Sequence, residues 1–274
     1  MSMKQQALAD LVDNDVDRRA FARRILTVGA AVTGAAVIGA REAELLAQSL
    51  SDVDILNFAL NLEYLEAEFY TVATYGRRIA DEGIGITGVG RQGATTGGAA
   101  VSLSGFNRVA AEHITLDEQQ HVRFLRTALG SAAVAKPAIN LEALGIGFGN
   151  QNEFLILGRA FEDLGVSAYG GAAPLIRSPA NLAAAAQIAL TEAQHAGVLR
   201  MLVAMANIAN PMVDMFDVPP LGSPAGRLFQ VDGNGLSTVR TAGQVLAVAF
   251  ANTAAGARSG GFFPDGVNGA IDRV

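Results

Sequence analysis

A Glu-x-x-His pair occurs twice in this chain, and the two pairs use two of its three histidines. The first pair is Glu118 with His121, and the second is Glu192 with His195. Residues i and i+3 of an α-helix lie about 60° apart around the helix axis, so each pair directs a carboxylate and an imidazole toward one side. The repeat therefore favours a helical fold in which two helices present these groups to a common interior.

An isolated glutamate lies upstream of each pair and is followed seven residues later by a tyrosine. Glu63 precedes Tyr70 in this way, and Glu162 precedes Tyr169. The order along the chain is thus Glu, Glu-x-x-His, Glu, Glu-x-x-His. Four carboxylates and two imidazoles suit a pair of iron or manganese ions in a helical bundle. We therefore expect two divalent metal ions, and the residues alone do not choose between iron and manganese.

Apolar residues surround all four glutamates on their predicted helix faces. Glu118 shares its face with Ile114 and Leu125, and the other three glutamates have neighbours of the same kind. An ionised carboxylate without a partner is costly among apolar side chains. Four converging carboxylates also repel one another, whereas two divalent ions cancel four negative charges. A metal site explains this pattern better than four unrelated core glutamates.

Three further residues are candidates for the same site. Tyr70 and Tyr169 are either core aromatic residues or hydrogen-bond donors to ligand carboxylates with a role in catalysis. Glu66 lies nearer the centre of the apolar arc than Glu63, and its counterpart on the third helix is Gly165. Glu66 is therefore an additional metal ligand or a supporting acid.

Two polar residues near the pattern are predicted to lie outside the metal site. Glu68 points away from the ligand face of its helix, so we expect it to be solvated. His113 falls off the ligand face of the second helix, so we interpret it as structural.

The helical period of the apolar residues predicts four long helices. We expect them at about 52–75, 106–129, 151–172 and 179–207. The first connection, 76–105, is too rich in glycine for a helix and is predicted to be a long loop with a function or a covering role. After residue 210 an irregular chain with one short helix, at about 241–255, is expected. Residues 48–210 would then form the bundle, and 211–274 a C-terminal extension that wraps it.

Residues 1–47 are predicted to be an export signal and linker. Arg18 and Arg19 are followed by Phe21 and by a weakly apolar run, 25–40, which together resemble a twin-arginine signal. That run is short for a membrane span. We therefore expect an exported protein of the periplasm or cell envelope. The alternative is a cytoplasmic protein whose N-terminal helix has a basic end.

Composition excludes several other functions. The chain has 274 residues and no cysteine, which rules out disulfides, thiolate metal sites and a cysteine nucleophile. Its formal net charge of −6 argues against binding to nucleic acid, because no basic surface is available to displace counterions from phosphates. No membrane span is expected after the N-terminal run, and a homo-oligomer is compatible with the sequence.

The chain resembles the ferritin-like superfamily, and in particular a bacterial branch described as ferritin-like or desiccation-related proteins. The resemblance covers about residues 50–270 and rests on 54–70, 118–125, 161–169, 192–197 and 262–266. It implies an all-α, four-helix bundle with a carboxylate-bridged dimetal centre, in which Glu118 and Glu192 bridge the ions. The metal ligands that it implies are Glu63, Glu118, His121, Glu162, Glu192 and His195.

Two functions remain open at this point. The first is a redox enzyme whose dimetal centre reacts with peroxide or dioxygen, in the manner of a catalase, a peroxidase or an oxidase, and protects against oxidative stress. The second is a structural or protective envelope protein in which metal only stabilises the bundle, or in which the site is vestigial. The long first connection, the C-terminal extension and the export-like start disfavour a mineral-storing cage.

Overall fold

The computed structural model describes residues 50–208, 213–223 and 225–274. The predicted export signal and linker, residues 1–47, lie outside these residues. Four long helices form within 50–208, namely α1 Asp52–Tyr75, α2 Gly105–Leu129, α3 Gln151–Ala172 and α4 Pro179–Met205. They confirm the all-α four-helix bundle that the sequence predicts.

Side chains at the helix starts explain why three of these helices begin where they do. The Ser51 hydroxyl accepts a hydrogen bond from the Asp54 backbone N–H, and the Asp54 carboxylate accepts one in return from the Ser51 N–H. Asn150 caps α3, and Ser178 caps α4 immediately before its first-turn proline. At its other end α1 stops at Gly76, whose φ of 68° lies in the left-handed region.

The helices pack in pairs, α1 mainly along α2 and α3 mainly along α4. A cluster of aromatic residues fills part of the core, and Phe69 lies at its centre. The ring centre of Phe69 is 4.9–5.5 Å from the rings of four neighbours, Tyr70, Phe148, Phe154 and Phe161. These rings form the aromatic part of the hydrophobic core.

The glycine-rich first connection lies against the connection that follows α2. Strand β1, Thr95–Thr96, pairs in parallel with β2, Ile139–Asn140. A side chain could not be accommodated at Gly88 or Gly93, where a Cβ atom would lie 2.2 Å from the backbone of the second connection. The two connections therefore approach more closely than other residues would permit, which explains part of the glycine content.

The C-terminal segment packs on α3. A Cβ atom at Gly171 would lie 1.9 Å from the carbonyl oxygen of Arg240, so backbone runs directly over the helix. Phe262 is buried and its ring centre lies 5.0 Å from that of Phe161. The limits of the predicted domains, at residues 47 and 210, stay a prediction.

The short C-terminal helix, α5, spans Ala242–Ala249 and is shorter than predicted. It ends because Ala251 has a φ of 47°, a left-handed conformation that does not continue a helix. Across the part of the chain that the structure describes, none of the helices combines the length and apolar character that crossing a membrane requires.

Candidate metal centre

The six predicted ligands come together in the interior of the bundle. Each pair of helices contributes an isolated glutamate and a Glu-x-x-His pair: Glu63 from α1, Glu118 and His121 from α2, Glu162 from α3, and Glu192 and His195 from α4. The four glutamates are at most 1% exposed, and the two histidines are 6–8% exposed. All six are therefore removed from bulk solvent.

The ligand atoms form two overlapping groups, in each of which one atom per residue lies within 4.8 Å of the others. One group contains Glu63, Glu118, His121 and Glu192, and the other contains Glu118, Glu162, Glu192 and His195. Glu118 and Glu192 belong to both groups. The two groups of possible ligand atoms thus overlap at these two carboxylates. That the six residues bind metal stays a prediction.

The distances between the ligand atoms suit coordination of an ion. Three carboxylate oxygens surround Nδ1 of His121, from Glu63 at 3.2 Å and from Glu118 and Glu192 at 3.3 Å each. Nδ1 of His195 lies 3.0 Å from an oxygen of Glu118 and 3.3 Å from one of Glu162. Two ligand atoms that are each about 2.1 Å from an ion and at right angles to one another lie about 3.0 Å apart.

Several buried oxygen and nitrogen atoms of these six residues have no hydrogen-bond partner in the described part of the chain. Seven buried atoms of the six residues have no hydrogen-bond partner among the residues that the structure describes: Glu63 Oε2, Glu118 Oε1, both oxygens of Glu162, both oxygens of Glu192, and His195 Nδ1. The ring nitrogen of His195 lies close to carboxylate oxygens, but not in the direction that a hydrogen bond needs. Since buried polar atoms are normally hydrogen-bonded, these residues fit a pair of divalent ions with oxygen and nitrogen ligands.

The shared carboxylates hold protons readily when no metal is bound. Burial, together with the negative charges of Glu192 and Glu63, raises the pKa of Glu118 to about 7. Burial and the charge of Glu162 raise the pKa of Glu192 to about 8. Both values exceed the ordinary 4.5 because ionisation would place several negative charges in a dry interior. Metal ions therefore compete with protons for these carboxylates.

The pKa values of the two histidines are also raised, but here burial opposes the shift and the neighbouring carboxylates cause it. Burial alone would lower the pKa of His195, but the negative charges of Glu162 and Glu118 beside the ring outweigh it and raise the pKa to about 12. The pKa of His121 is likewise raised, with Glu63 as the main contributor against the effect of burial. In the metal-free protein the two imidazoles therefore carry protons and positive charge. An ion bound at Nδ1 would replace each of these protons.

The two tyrosines have different environments. The Tyr169 hydroxyl donates a hydrogen bond to Oε1 of Glu63 at 2.5 Å. The Tyr70 hydroxyl donates to the carbonyl oxygen of Gly158 at 3.4 Å. Burial and nearby carboxylates raise the pKa of both phenols well above the ordinary value, so both remain protonated donors. Their predicted role in catalysis stays a prediction, and its geometry is more favourable for Tyr169.

Glu66 lies beside the two ligand groups but belongs to neither. Burial and the charges of Glu192 and the other ligand carboxylates raise its pKa well above the ordinary value. A Cβ atom at Gly165 would lie 2.4 Å from Oε2 of Glu192 and 3.1 Å from Oε1 of Glu66. Gly165 thus leaves space for both carboxyl groups. This position favours Glu66 as a supporting acid over an additional ligand.

Sequence reasoning did not identify Asp117. Its Oδ2 lies 3.1 Å from Nε2 of His195, which fixes the ring so that Nδ1 faces the glutamates. Asp117 precedes Glu118 directly, but its partner lies 78 residues away on α4. The corresponding residue on α4 is Thr191, whose hydroxyl donates to its own helix. The internal repeat therefore carried no signal for this contact.

The expectation that Glu68 is solvated was wrong. Glu68 is 1% exposed and accepts a hydrogen bond from the Thr95 hydroxyl at 2.8 Å. The glycine-rich connection covers this side of α1, which the helical period alone could not reveal. His113 is exposed on α2 and lies in neither ligand group, in agreement with its predicted position off the ligand face.

The fold and the site define a class of proteins, namely four-helix bundles with a buried cluster of carboxylates and histidines. Residues 51–205 match the ferritin-like domain family, and the chain belongs to that family. The predicted superfamily is confirmed, whereas membership of the bacterial branch stays a prediction.

A more specific similarity connects the chain with a named protein. It is 26% identical over 170 residues to the desiccation-related protein PCC13-62 of Craterostigma plantagineum. The alignment covers 56% of this chain and 53% of that protein, so the chain spans about half the length of the relative that it matches.

Proposed function

We propose that this protein holds two iron or manganese ions and reacts with peroxide or dioxygen, and that it thereby protects against oxidative stress. The observation that carries the proposal is the pair of adjacent ligand groups that share Glu118 and Glu192. The desiccation-related name of the relative supports a role in stress. The donor set accepts both metals, so the proposal does not distinguish them.

The residues of the chain have separate tasks in this proposal. Bound ions would supply reversible redox chemistry and Lewis acidity. Glu118 and Glu192 would hold both ions together, while each remaining ligand would hold one ion. The Tyr169 hydroxyl orients a carboxylate ligand through its short hydrogen bond. Glu66, whose raised pKa keeps it protonated, would hold a proton beside the site.

The surroundings of the site suit a small oxidant. The side chains of His121 and His195 are 11% and 8% exposed, and the four ligand glutamates are at most 1% exposed, so little space surrounds the site. Tyr169 also lines a cavity of about 20 Å³, whose other walls are apolar residues of α1, α3, α4 and the connection between α3 and α4. A space of this volume holds about one water-sized molecule. Small oxidants therefore fit the site better than large organic substrates.

A structural role for the metal is the second candidate. The four carboxylates are almost completely closed off from solvent, which is what a site that only stabilises the bundle requires. Because four buried carboxylates are unfavourable without cations, metal would add substantially to stability in this case as well. Turnover of an oxidant by the metal-loaded protein separates the two functions.

Export to the periplasm or cell envelope is also part of the proposal, with a cytoplasmic location as the alternative. It is supported by the similarity of residues 1–47 to a twin-arginine signal. Expression of the full chain with and without Arg18→Lys and Arg19→Lys, followed by cell fractionation, would test it. Retention of the variant in the cytoplasm supports export by this route, and an unchanged distribution contradicts it.

Metal analysis of protein purified from its native compartment tests the central proposal. We expect about two ions of iron or manganese per chain, and loss of both in a variant with Glu118→Ala and His195→Ala. His113→Ala is the matched control, because this histidine is exposed on α2 and lies outside both ligand groups. It should retain the metal content of the wild type.

Two results would contradict the proposal. Absence of bound metal from the intact protein would leave a structural bundle with a vestigial site. Full metal content without consumption of peroxide or dioxygen would leave the structural role of the metal as the better account.

A further inference from the structure

A cavity of about 370 Å³ lies where the glycine-rich connection crosses the side of α1. This volume falls within the range of about 300–1,000 Å³ that is typical of small-molecule sites. None of the residues that line it is a predicted metal ligand. Its polar walls are formed by Glu68, Arg78, Gln92, Thr95 and Lys136.

Two of the three charges in this cavity neutralise each other. Nζ of Lys136 lies 3.5 Å from Oε1 of Glu68, and both side chains are at most 3% exposed. Lys136 also donates to the Thr95 hydroxyl at 2.7 Å and to the carbonyl oxygen of Gly93 at 3.1 Å. Thr95 in turn donates to Glu68 at 2.8 Å. The buried ion pair is thus well hydrogen-bonded within the wall of the cavity.

The third charge, on Arg78, has no such counterpart. Nη2 donates to the carbonyl oxygen of Gly97 at 2.9 Å. Nη1 is buried and has no hydrogen-bond acceptor among residues 50–208, 213–223 and 225–274. No carboxylate within these ranges lies in salt-bridge contact with the guanidinium. The positive charge of Arg78 also reaches Lys136, whose pKa is lowered mainly by burial and further by Arg78, against the effect of Glu68.

We propose that this cavity binds a small molecule that bears a carboxylate or phosphate group, with the guanidinium of Arg78 as the principal cation. Two cations and one carboxylate give the cavity a net positive charge, whereas the whole chain has a formal charge of −6. A guanidinium matches the planar and tetrahedral oxygen arrangements of such anions and forms strong hydrogen bonds to them. The Gln92 side chain also lines the cavity and is available for the remainder of the ligand.

Titration of the full-length protein with inorganic phosphate and with succinate tests the proposal, with sodium chloride at matched ionic strength as the reference. We expect at least one of the two anions to bind saturably and to raise the melting temperature. Binding of only one identifies the chemistry of the natural ligand as phosphate or carboxylate. Saturable binding of neither anion would overturn the proposal.

Two substitutions that each remove one positive charge test the position of the site. Arg78→Gln removes the guanidinium and should weaken binding about ten-fold or more, because a charge-assisted hydrogen bond is lost. The control is Arg77→Gln, since the adjacent Arg77 pairs with Glu82 and its side chain is 56% exposed. It should retain nearly the affinity of the wild type. Equal weakening in both variants would mean a nonspecific charge effect and would overturn the assignment.

A measurement on the unaltered protein covers the case in which Arg78→Gln does not fold. In NMR titrations of the isotope-labelled wild type with the same anions, the backbone amide signals of residues 92–95 should shift at lower anion concentrations than the signals of other residues. Shifts confined to other surfaces would contradict the proposal. None of these experiments requires metal, so their outcome is independent of whether the proposed redox function is correct.

Discussion

Gly165 on α3 provides the space that Glu192 occupies, and filling this space should disturb the metal centre without disturbing the fold. In Gly165→Ala the new Cβ atom would lie 2.4 Å from Oε2 of Glu192, whereas ordinary contacts begin at 3.4 Å. The carboxylate of Glu192 must therefore move by about 1 Å. Glu192 belongs to both ligand groups, so the movement would affect the binding of both proposed ions.

This substitution should stabilise the helix but weaken the binding of metal. Replacement of glycine by alanine within a helix stabilises it by about 0.5–1 kcal/mol. Displacing a group that positions a metal site lowers metal affinity by about 10- to 100-fold, which corresponds to about 1.4–2.7 kcal/mol per ion. The metal-free variant should therefore melt close to or above the wild type. The metal-loaded variant should melt below it.

Gly197→Ala is the matched control, because a Cβ atom at this position on α4 would meet nothing within 4 Å. It should stabilise both forms and leave metal affinity unchanged. The assay compares melting temperatures with chelator and with added manganese or iron, together with metal titrations of all three proteins. Wild-type metal affinity in Gly165→Ala would refute the placement of Glu192 in the metal centre. A large loss of stability in the metal-free variant would refute the argument about space.

Three further predictions concern protons and hydrogen bonds at the centre. Glu118 and Glu192 have pKa values of about 7 and 8 in the folded protein and about 4.5 in the unfolded chain. Between these values the folded metal-free protein therefore binds more protons than the unfolded chain does. Its melting temperature in chelator should therefore fall from pH 5 to pH 8, while metal affinity in titrations rises; a melting temperature that rises with pH would contradict these shifts. Asp117→Asn removes the charge that orients His195 and should weaken binding of one of two ions by about 10- to 100-fold in metal titrations, and equal effects on both ions would argue against this role. Tyr169→Phe leaves a carboxylate without its donor and should lower the unfolding free energy of the metal-free protein by about 1–3 kcal/mol in denaturant titrations; an unchanged value would show that the hydrogen bond adds no net stability.

The four long helices could be predicted from the sequence because their signals are local. The apolar period and the glycine-rich stretch after residue 75 predicted α1 at about 52–75, and the structure has this helix at Asp52–Tyr75. The length of the short helix α5 was overestimated because the signal at its end is not visible in the sequence. Its end depends on a left-handed conformation at Ala251, a residue type that gives no such signal in the sequence.

The candidate ligands could be selected because an internal repeat placed them in matched registers on four helices. Contacts between segments that are far apart in the chain carry no comparable signal. The contact of Asp117 with His195 joins two different helices, and the burial of Glu68 results from a connection that folds back over α1. In both cases the local pattern described the helix correctly but did not describe what packs against it.

Charge balance distinguishes the metal centre from the other buried acids in a way that neither burial nor sequence pattern does alone. Within the described ranges, buried Glu68, Asp163 and Asp217 each have a lysine or arginine nitrogen within 3.5 Å. The four ligand glutamates have only two imidazoles between them, which leaves two negative charges when all are ionised. Glu66 avoids the same problem by remaining protonated. Two divalent ions with neutral imidazoles would balance the four glutamates completely, so these are the carboxylates for which metal is the best counter-charge.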